Sequence, residues 1–412
     1  MRISLLTIPL TLCQLVLTIP TENNNQNPSN NHNSHHKDKQ RDHEDKPWDN
    51  SPVLPHFPQT TDYPLPNQGN LAVHDPNIIQ HNGSYYLFKG GIHIPFFKAQ
   101  NLTGPWTKVG TVLDGPSIIK TQNRTRPWAP TTIERDGKFY CFYTVSRRGK
   151  RDSAIGVATT TNIDEGGWTD HGALIYTGNG HLSHLYPYRK SNAIDPAFIA
   201  DHKTGKPYLV YGSFWRGIFQ LPLADDLLSV ENTDHPDARN LAFVPDVRVK
   251  PVEGAFMTYR EPYYYLWFSH GKCCRFYKGF PKKGHEYSIR VGRSENVRGP
   301  FVDKHGKNLL NDGGTIVYGS NHGVVYAPGG VGVLSGNSTF RDVLYFHYLN
   351  TTIGFTNNDA RLGWTYLDYV DGWPVANATG SATESSASGH CGHHAFSLFA
   401  LMSLWTYVWL FL

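Results

Sequence analysis

Three carboxylates are the residues of this chain best suited to chemistry. Asp75 stands in "VHDPNII", Asp195 in "SNAIDPAF" and Glu253 in "KPVEGAF", each leading into a short apolar run. Carboxyl groups that converge in a partly enclosed site repel one another and perturb each other's pKa values, so one can stay protonated while another stays ionised. A core has no need of such a cluster, and three acids in matching contexts predict an acid–base site. A lone Asp-Pro would read only as a turn.

A degenerate repeat would bring these distant residues together. Residues 71–91, "LAVHDPNIIQHNGSYYLFKGG", predict a β-hairpin: alternation from Asn77 to Gln80, a turn over His81–Ser84 and an aromatic strand over Tyr85–Phe88. The same plan returns in "PWAPTTIERDGKFYCFY", "NAIDPAFIADHKTGKPYLVYGSF", "VEGAFMTYREPYYYLWF" and "YAPGGVGVLSGNSTFRDVLYFHY". The matching lead-in positions Pro76, Pro130, Pro196, Ala255 and Pro328 are 54, 66, 59 and 73 residues apart. Each unit is long enough for a four-stranded sheet, and no amphipathic helical period interrupts them. The expected fold is therefore all-β, a five-bladed β-propeller. The innermost strand of each blade lines the central channel. Asp75, Trp128-Ala129, Asp195, Glu253 and Tyr326-Ala327 should then meet at one end of it. The aromatic strands "YYLF", "FYCFY" and "YYYLWF" read as core between blades.

The flanks read as targeting signals. Residues 1–20 predict a secretory signal peptide, with an early Arg2 and a short apolar run. Residues 21–66 form an Asn/His-rich leader that cannot bury a core and is expected to be disordered. The propeller is expected over 67–376. A Ser/Gly-rich linker, 377–394, and an apolar tail, 395–412, match a glycosylphosphatidylinositol (GPI) signal, with attachment between Ser381 and Ser388. These signals predict a location on the extracellular face of the plasma membrane or in the wall, tied to the membrane through a lipid; the chain is expected to be a monomer. Secretion gives meaning to the sequons at Asn82, Asn101, Asn123, Asn337, Asn350 and Asn377, which are candidate glycosylation sites.

Composition narrows the function. With 38 Lys+Arg against 34 Asp+Glu and no basic run interleaved with aromatics, the chain lacks a nucleic-acid-binding pattern. Aromatics at 13% suit a β protein and equally a sugar binder. Cys13 would leave with the signal peptide and Cys391 with the segment removed beyond the attachment site, which leaves Cys141, Cys273 and Cys274, an odd number, so at least one is free or pairs between chains. Cys273 and Cys274 could pair with each other, or one of them with Cys141. No zinc, G-x-S-x-G or Walker motif is present.

The ordered set "VHDPNII", "SNAIDPAF", "YLVYGSFWRGIF", "KPVEGAF", "SHGKCCR" and "YSIRVGRSENVRGPFVD" resembles glycoside hydrolase family 43, and within it the endo-1,5-α-L-arabinanases. The resemblance runs from about Leu71 to Ala376. It implies a five-bladed propeller and an inverting hydrolase of arabinan or arabino-oligosaccharides. Asp75 would be the general base, Glu253 the general acid, and Asp195 the group that raises the pKa of Glu253 and orients it. It further implies sugar contacts from Asn192, Ala193 and Ile194, from Ser213, Phe214 and Trp215, and from Gly156. Trp128 is placed to stack on a sugar face, although a lone Trp there serves core packing as readily. Two positions depart from the family. Ala255 stands where Pro is frequent, which predicts a looser backbone after Glu253. Gly330 stands where many members have a His facing a central metal ion, leaving His322 and His347 as substitutes. No cofactor is required by this reading, and a Ca²⁺ ion, if held, would be structural or electrostatic. Two other functions compete with an endo-arabinanase: an exo-acting arabinofuranosidase or β-xylosidase, and a sugar-binding propeller without catalysis.

Overall fold

Alternation in the aromatic strands sets the architecture. In a strand successive side chains point to opposite faces. Along Lys138–Val145, Phe139, Cys141, Tyr143 and Val145 pack toward the preceding sheet, while Tyr140 and Phe142 pack toward the next. Along Tyr263–His270, Tyr264, Leu266 and Phe268 face one neighbour, and Tyr265 and Trp267 the other. A sheet that is apolar on both faces must be covered on both, and radial repetition does this with few edges.

The computed structural model describes residues 64–65, 68, 71–247, 251–321, 323–337 and 340–377. The expected signal peptide, most of the leader and nearly all of the linker and tail lie outside them. Among the described residues no helix is long and apolar enough to cross a membrane. Five antiparallel four-stranded sheets follow in chain order. Blade 1 holds β1 (Asn77–His81), β2 (Ser84–Phe88), β3 (Pro95–Ala99) and β4 (Thr107–Thr111), and blade 2 holds β5 (Trp128–Arg135), β6 (Lys138–Val145), β7 (Ser153–Thr160) and β8 (Thr169–Thr177). Blade 3 holds β9 (Ala197–Ala200), β10 (Pro207–Tyr211), β11 (Ile218–Pro222) and β12 (Arg239–Ala242). Blade 4 holds β13 (Val252–Arg260), β14 (Tyr263–His270), β15 (Ser288–Ser294) and β16 (Thr315–Tyr318). Blade 5 holds β17 (Val325–Leu334), β18 (Asp342–Asn350), β19 (Ala360–Val370) and β20 (Trp373–Asn377). The expected five-bladed β-propeller is the fold found. Its last strand runs one residue past the predicted boundary, and Leu65, before the predicted start, already donates its N–H to Trp364 O at 2.9 Å.

Five apolar clusters fill the five gaps between blades. The one that closes the ring joins Val73, Ile78 and Leu87 of the first unit to Val343, Tyr345, Leu362 and Trp364 of the last. Hairpin turns carry the residues their geometry demands. Asn82-Gly83, Asp136-Gly137 and Asp371-Gly372 all have positive φ, as two-residue turns between twisted strands require.

Candidate active site

The residue before each of the five lead-in positions has positive φ. Asp75, Ala129, Asp195, Gly254 and Ala327 have φ of 50°, 39°, 56°, 60° and 50°, each just before the matching Pro or Ala at the head of the inner strand or within its first residues. Non-glycine residues rarely adopt positive φ, and Asp tolerates it better than most. The fold thus repeats one strained turn around the channel mouth and varies only the side chain on it. Asp75 and Asp195 occupy that position itself. Glu253 stands one residue earlier, level with His74, Trp128, Ile194 and Tyr326. A narrow cavity of about 30 Å³, room for a water or two, runs down the axis between Asp75, Asp195, Gly254 and Gly330.

Each acid has its own surroundings. Asp75 lies between two imidazoles: His74 Nδ1 is 2.9 Å from Oδ2 and His347 Nδ1 is 3.3 Å from Oδ1. The rings stack at 4.1 Å. The Asp75 N–H donates to His347 Nδ1 at 3.1 Å, which fixes the second ring. Burial would raise the Asp75 pKa, but its contacts with His74, first, and with His347 outweigh it and hold this carboxylate far below its ordinary range. Burial pushes His347 itself down to about 4, with help from His74.

Asp195 is fastened beside the opposite acid. Its Oδ2 accepts the N–H of Gly254 at 3.1 Å, and its own N–H donates to Thr144 Oγ1 at 3.1 Å. Burial, then repulsion from Glu253 and from Asp75, lifts its pKa well above the usual carboxyl value. Glu253 is only 9% exposed. Ser213 Oγ donates to its Oε2 at 2.6 Å and Tyr287 Oη donates to Oε1. Burial raises the Glu253 pKa, the two hydroxyls pull against it, and Asp75 adds to the rise. The structure therefore sets one firmly ionised carboxylate against a proton-retaining pair. That is the division of roles acid–base catalysis needs.

The other predicted residues divide into two groups. Ser213 touches Glu253, while Phe214 and Trp215 follow it at positive φ, and Trp215 is 38% exposed at the mouth. Trp128 is half-buried and pairs with Thr144. Asn192, Ala193 and Ile194 are buried behind Asp195. Asn192 Oδ1 accepts from Ser153 Oγ at 2.9 Å, and the Ala193 N–H donates to Thr177 Oγ1 at 3.1 Å, so this segment shapes the turn that presents Asp195. Gly156 is buried in β7, where a Cβ would meet Ile119 and Tyr143 at 2.6–2.7 Å; the fold does not bring it to the acids. The backbone after Glu253 is fixed without proline, since Gly254 is bonded to Asp195 and Ala255 packs between blades 3 and 4. Cys273 and Cys274 are joined to each other, and Cys141 is a buried thiol whose pKa burial pushes up to about 12. Among the sequons, Asn82, Asn101, Asn123 and Asn337 are exposed, while Asn350 and Asn377 are half-buried.

His322 lies outside the described residues. His347, whose strand setting reads as structural, instead fills the channel. A Cβ on Gly330 would meet Asp75 Oδ1 at 2.5 Å and His347 Nδ1 at 2.6 Å, so the glycine makes room for this ring. The ligand atoms of His74, Asp75 and His347 lie within 4.8 Å of one another. Two imidazole nitrogens and one carboxylate do not fit a Ca²⁺ ion, which takes six to eight oxygens. Tyr287, His74 and Ser269, whose Oγ accepts the Gly330 N–H at 2.9 Å, stand in segments that carry the family resemblance but were not singled out there.

With this geometry in view, residues 69–374 match the glycosyl hydrolases family 43. The chain belongs to that family. A curated relative named probable arabinan endo-1,5-alpha-L-arabinosidase D, from Emericella nidulans, is 63% identical over 77% of this chain and 84% of its own. The structure of Cellvibrio cellulosa alpha-L-arabinanase complexed with arabinohexaose superposes with a TM-score of 0.64 at 26% identity, over 74% of this chain and 96% of that one. An exo-1,5-alpha-L-arabinanase from a bovine ruminal metagenomic library gives 0.63 at 26% identity, over 74% and 97%.

Proposed function

We propose that this family 43 chain is an endo-1,5-α-L-arabinanase that cleaves arabinan with inversion at the anomeric carbon. The observation that carries the reading is the contrast between Asp75, held ionised by two imidazoles, and Glu253, held toward its protonated form beside Asp195. Asp75 takes a proton from a water as that water attacks the anomeric carbon. Glu253 gives its proton to the departing glycosidic oxygen on the other side, and the C–O bond breaks. Inversion needs the two carboxyls about 6.5–9.5 Å apart, leaving space for the water. Asp195 and Glu253 repel each other when both are ionised, so the pair retains a proton that Glu253 can give. Trp128 and Trp215 offer ring faces to the furanoses at the mouth. The relative's name supports endo action on arabinan, and the exo-acting neighbour names the competing reading.

Linear arabinan separates the two. Short oligosaccharides among the first products support endo action, free arabinose alone supports exo action, and no product means a binding protein. Roles are tested with dinitrophenyl arabinofuranoside, whose leaving group scarcely needs protonation. On it Glu253→Ala should recover much of its rate and Asp75→Ala should not, while azide should rescue Asp75→Ala to give a glycosyl azide of inverted configuration. Azide rescue confined to Glu253→Ala would mean the two roles are reversed.

The same proposal places the enzyme outside the cell, held by a GPI lipid. Its support is the order of small residues, spacer and apolar tail over 381–412. Phosphatidylinositol-specific phospholipase should release it, and finding residues 395–412 in the mature protein would overturn the anchor.

A further inference from the structure

Arabinan is neutral, yet one sector of the channel mouth is strongly cationic. Three connections meet there, 112–127, 146–152 and 178–196. Together they carry nine Lys and Arg against three acids, Asp114, Asp152 and the site's own Asp195, in a chain whose totals are nearly balanced at 38 and 34. Arg124, Arg126, Arg147, Arg148, Lys150 and Arg189 are all exposed. Among the described residues none of these six forms an ion pair.

The loops are held together rather than merely near. Asn123 Nδ2 donates to Arg126 O at 3.1 Å and to Ser146 O at 3.2 Å, and the Arg151 guanidinium donates to Arg189 O. Ser146, Ser153 and Asn192 form a hydrogen-bonded chain of 2.7 and 2.9 Å, which joins the sector to the segment that presents Asp195. Loop 146–152 leaves β6 just beyond Thr144, which pairs with Trp128 at the mouth. The cations therefore lie on the catalytic face, on a braced frame.

Like charges gathered in this way repel, and neutral furanose rings offer them hydroxyl acceptors but no countercharge. Exposed Arg is suited to carboxylates, which its planar fork can grip with two parallel hydrogen bonds. We propose that this sector docks a polyuronate, the carboxylate-bearing class of wall polysaccharide that carries neutral side chains. The acidic chain would hold the enzyme while the channel works on the neutral one. This rests on the arabinanase reading above. An anionic membrane has the same sign of charge, but lying on it would cover the mouth.

The test uses the secreted enzyme, hexagalacturonate as probe and arabinohexaose as neutral control. Calorimetry at 50 and 500 mM NaCl should show hexagalacturonate binding that weakens at least about fivefold with salt, since screening shortens the reach of exposed charges. The triple variant Arg147→Glu, Arg148→Glu, Lys150→Glu should bind it about tenfold more weakly. Its kcat/KM should fall about fivefold on arabinan carried by a polyuronate backbone and stay within about twofold on free linear arabinan. The neutralising pair Arg124→Gln, Arg189→Gln should give the same pattern with smaller size, guarding against a misfolded triple variant. Absent or salt-independent hexagalacturonate binding would overturn the proposal. So would equal losses on both arabinans in both variants, or charge-dependent binding to phosphatidylserine vesicles without binding to hexagalacturonate. If the wild type fails to cleave linear arabinan, the arabinanase reading falls while the calorimetry still judges the docking surface.

Discussion

Ser213→Ala should move the alkaline limb of kcat/KM to higher pH. Ser213 donates to Glu253 Oε2 at 2.6 Å, and that bond favours the carboxylate over the acid. A hydrogen bond to a charged group contributes about 1.5–3 kcal/mol, and one pKa unit is about 1.4 kcal/mol. The protonated acid keeps part of the bond, because a serine hydroxyl can turn round and accept. The differential loss is therefore at the low end, about one unit upward in the Glu253 pKa. Glu253 must carry its proton to act, so activity falls as pH rises through this pKa. A raised pKa extends activity by about one pH unit on the alkaline side. The assay is initial rates on linear arabinan across pH at constant ionic strength. A serine that only touches sugar would change kcat/KM equally at every pH. A limb that stays in place, or moves to lower pH, would refute the reasoning.

Asp195→Asn should act in the opposite sense, since the mutual repulsion of the pair is lost: the alkaline limb should move to lower pH, and an unchanged limb with normal activity would remove Asp195 from this role. His74→Gln should move the acid limb to higher pH, because Asp75 must be ionised to act and loses a partner that holds its pKa down; a pH–rate profile unchanged below neutrality would count against it. Gly330→Ala should destabilise the fold by about 1–3 kcal/mol, read as a lower Tm, since its φ is 59° and a Cβ would crowd both Asp75 and His347. A Tm equal to wild type would mean the channel is roomier than the structure shows.

How much of this was legible in the sequence follows from the range of the interactions. Inner strands announce themselves locally, because both faces are apolar and two-residue Asn-Gly and Asp-Gly turns mark the hairpins. Outer strands do not: β4, TKVGT, has one edge and little burial, so its pattern is close to that of a loop. Asp75 and Asp195 stood out because the backbone turn that presents them is written as Asp-Pro. The groups that tune them did not. His347 lies 272 residues from Asp75 and meets it only because the ring closes first blade on last. Tyr287 stands just before an ordinary β15 and becomes a partner of Glu253 only once that strand pairs beside β14.

The repeated turn also explains why three acids of similar kind can do different work. At all five positions the backbone is the same, so the fold supplies placement and leaves electrostatics to the neighbours. Blade 1 abuts blade 5, whose inner strand has Gly330 and whose second strand has His347, and that combination surrounds Asp75 with imidazole nitrogen. Blade 3 abuts blade 4, where the peptide N–H of Gly254 draws Asp195 toward Glu253. Shifting Glu253 one residue ahead of the turn, instead of placing a third Asp on it, leaves position 254 free to be glycine and its N–H free to hold Asp195. An aspartate at 254 would keep the N–H but set its own carboxylate on the same ring as Asp75 and Asp195, away from the hydroxyls of Ser213 and Tyr287. Placement one residue early is thus what pairs the acid with both its donors and its charged neighbour.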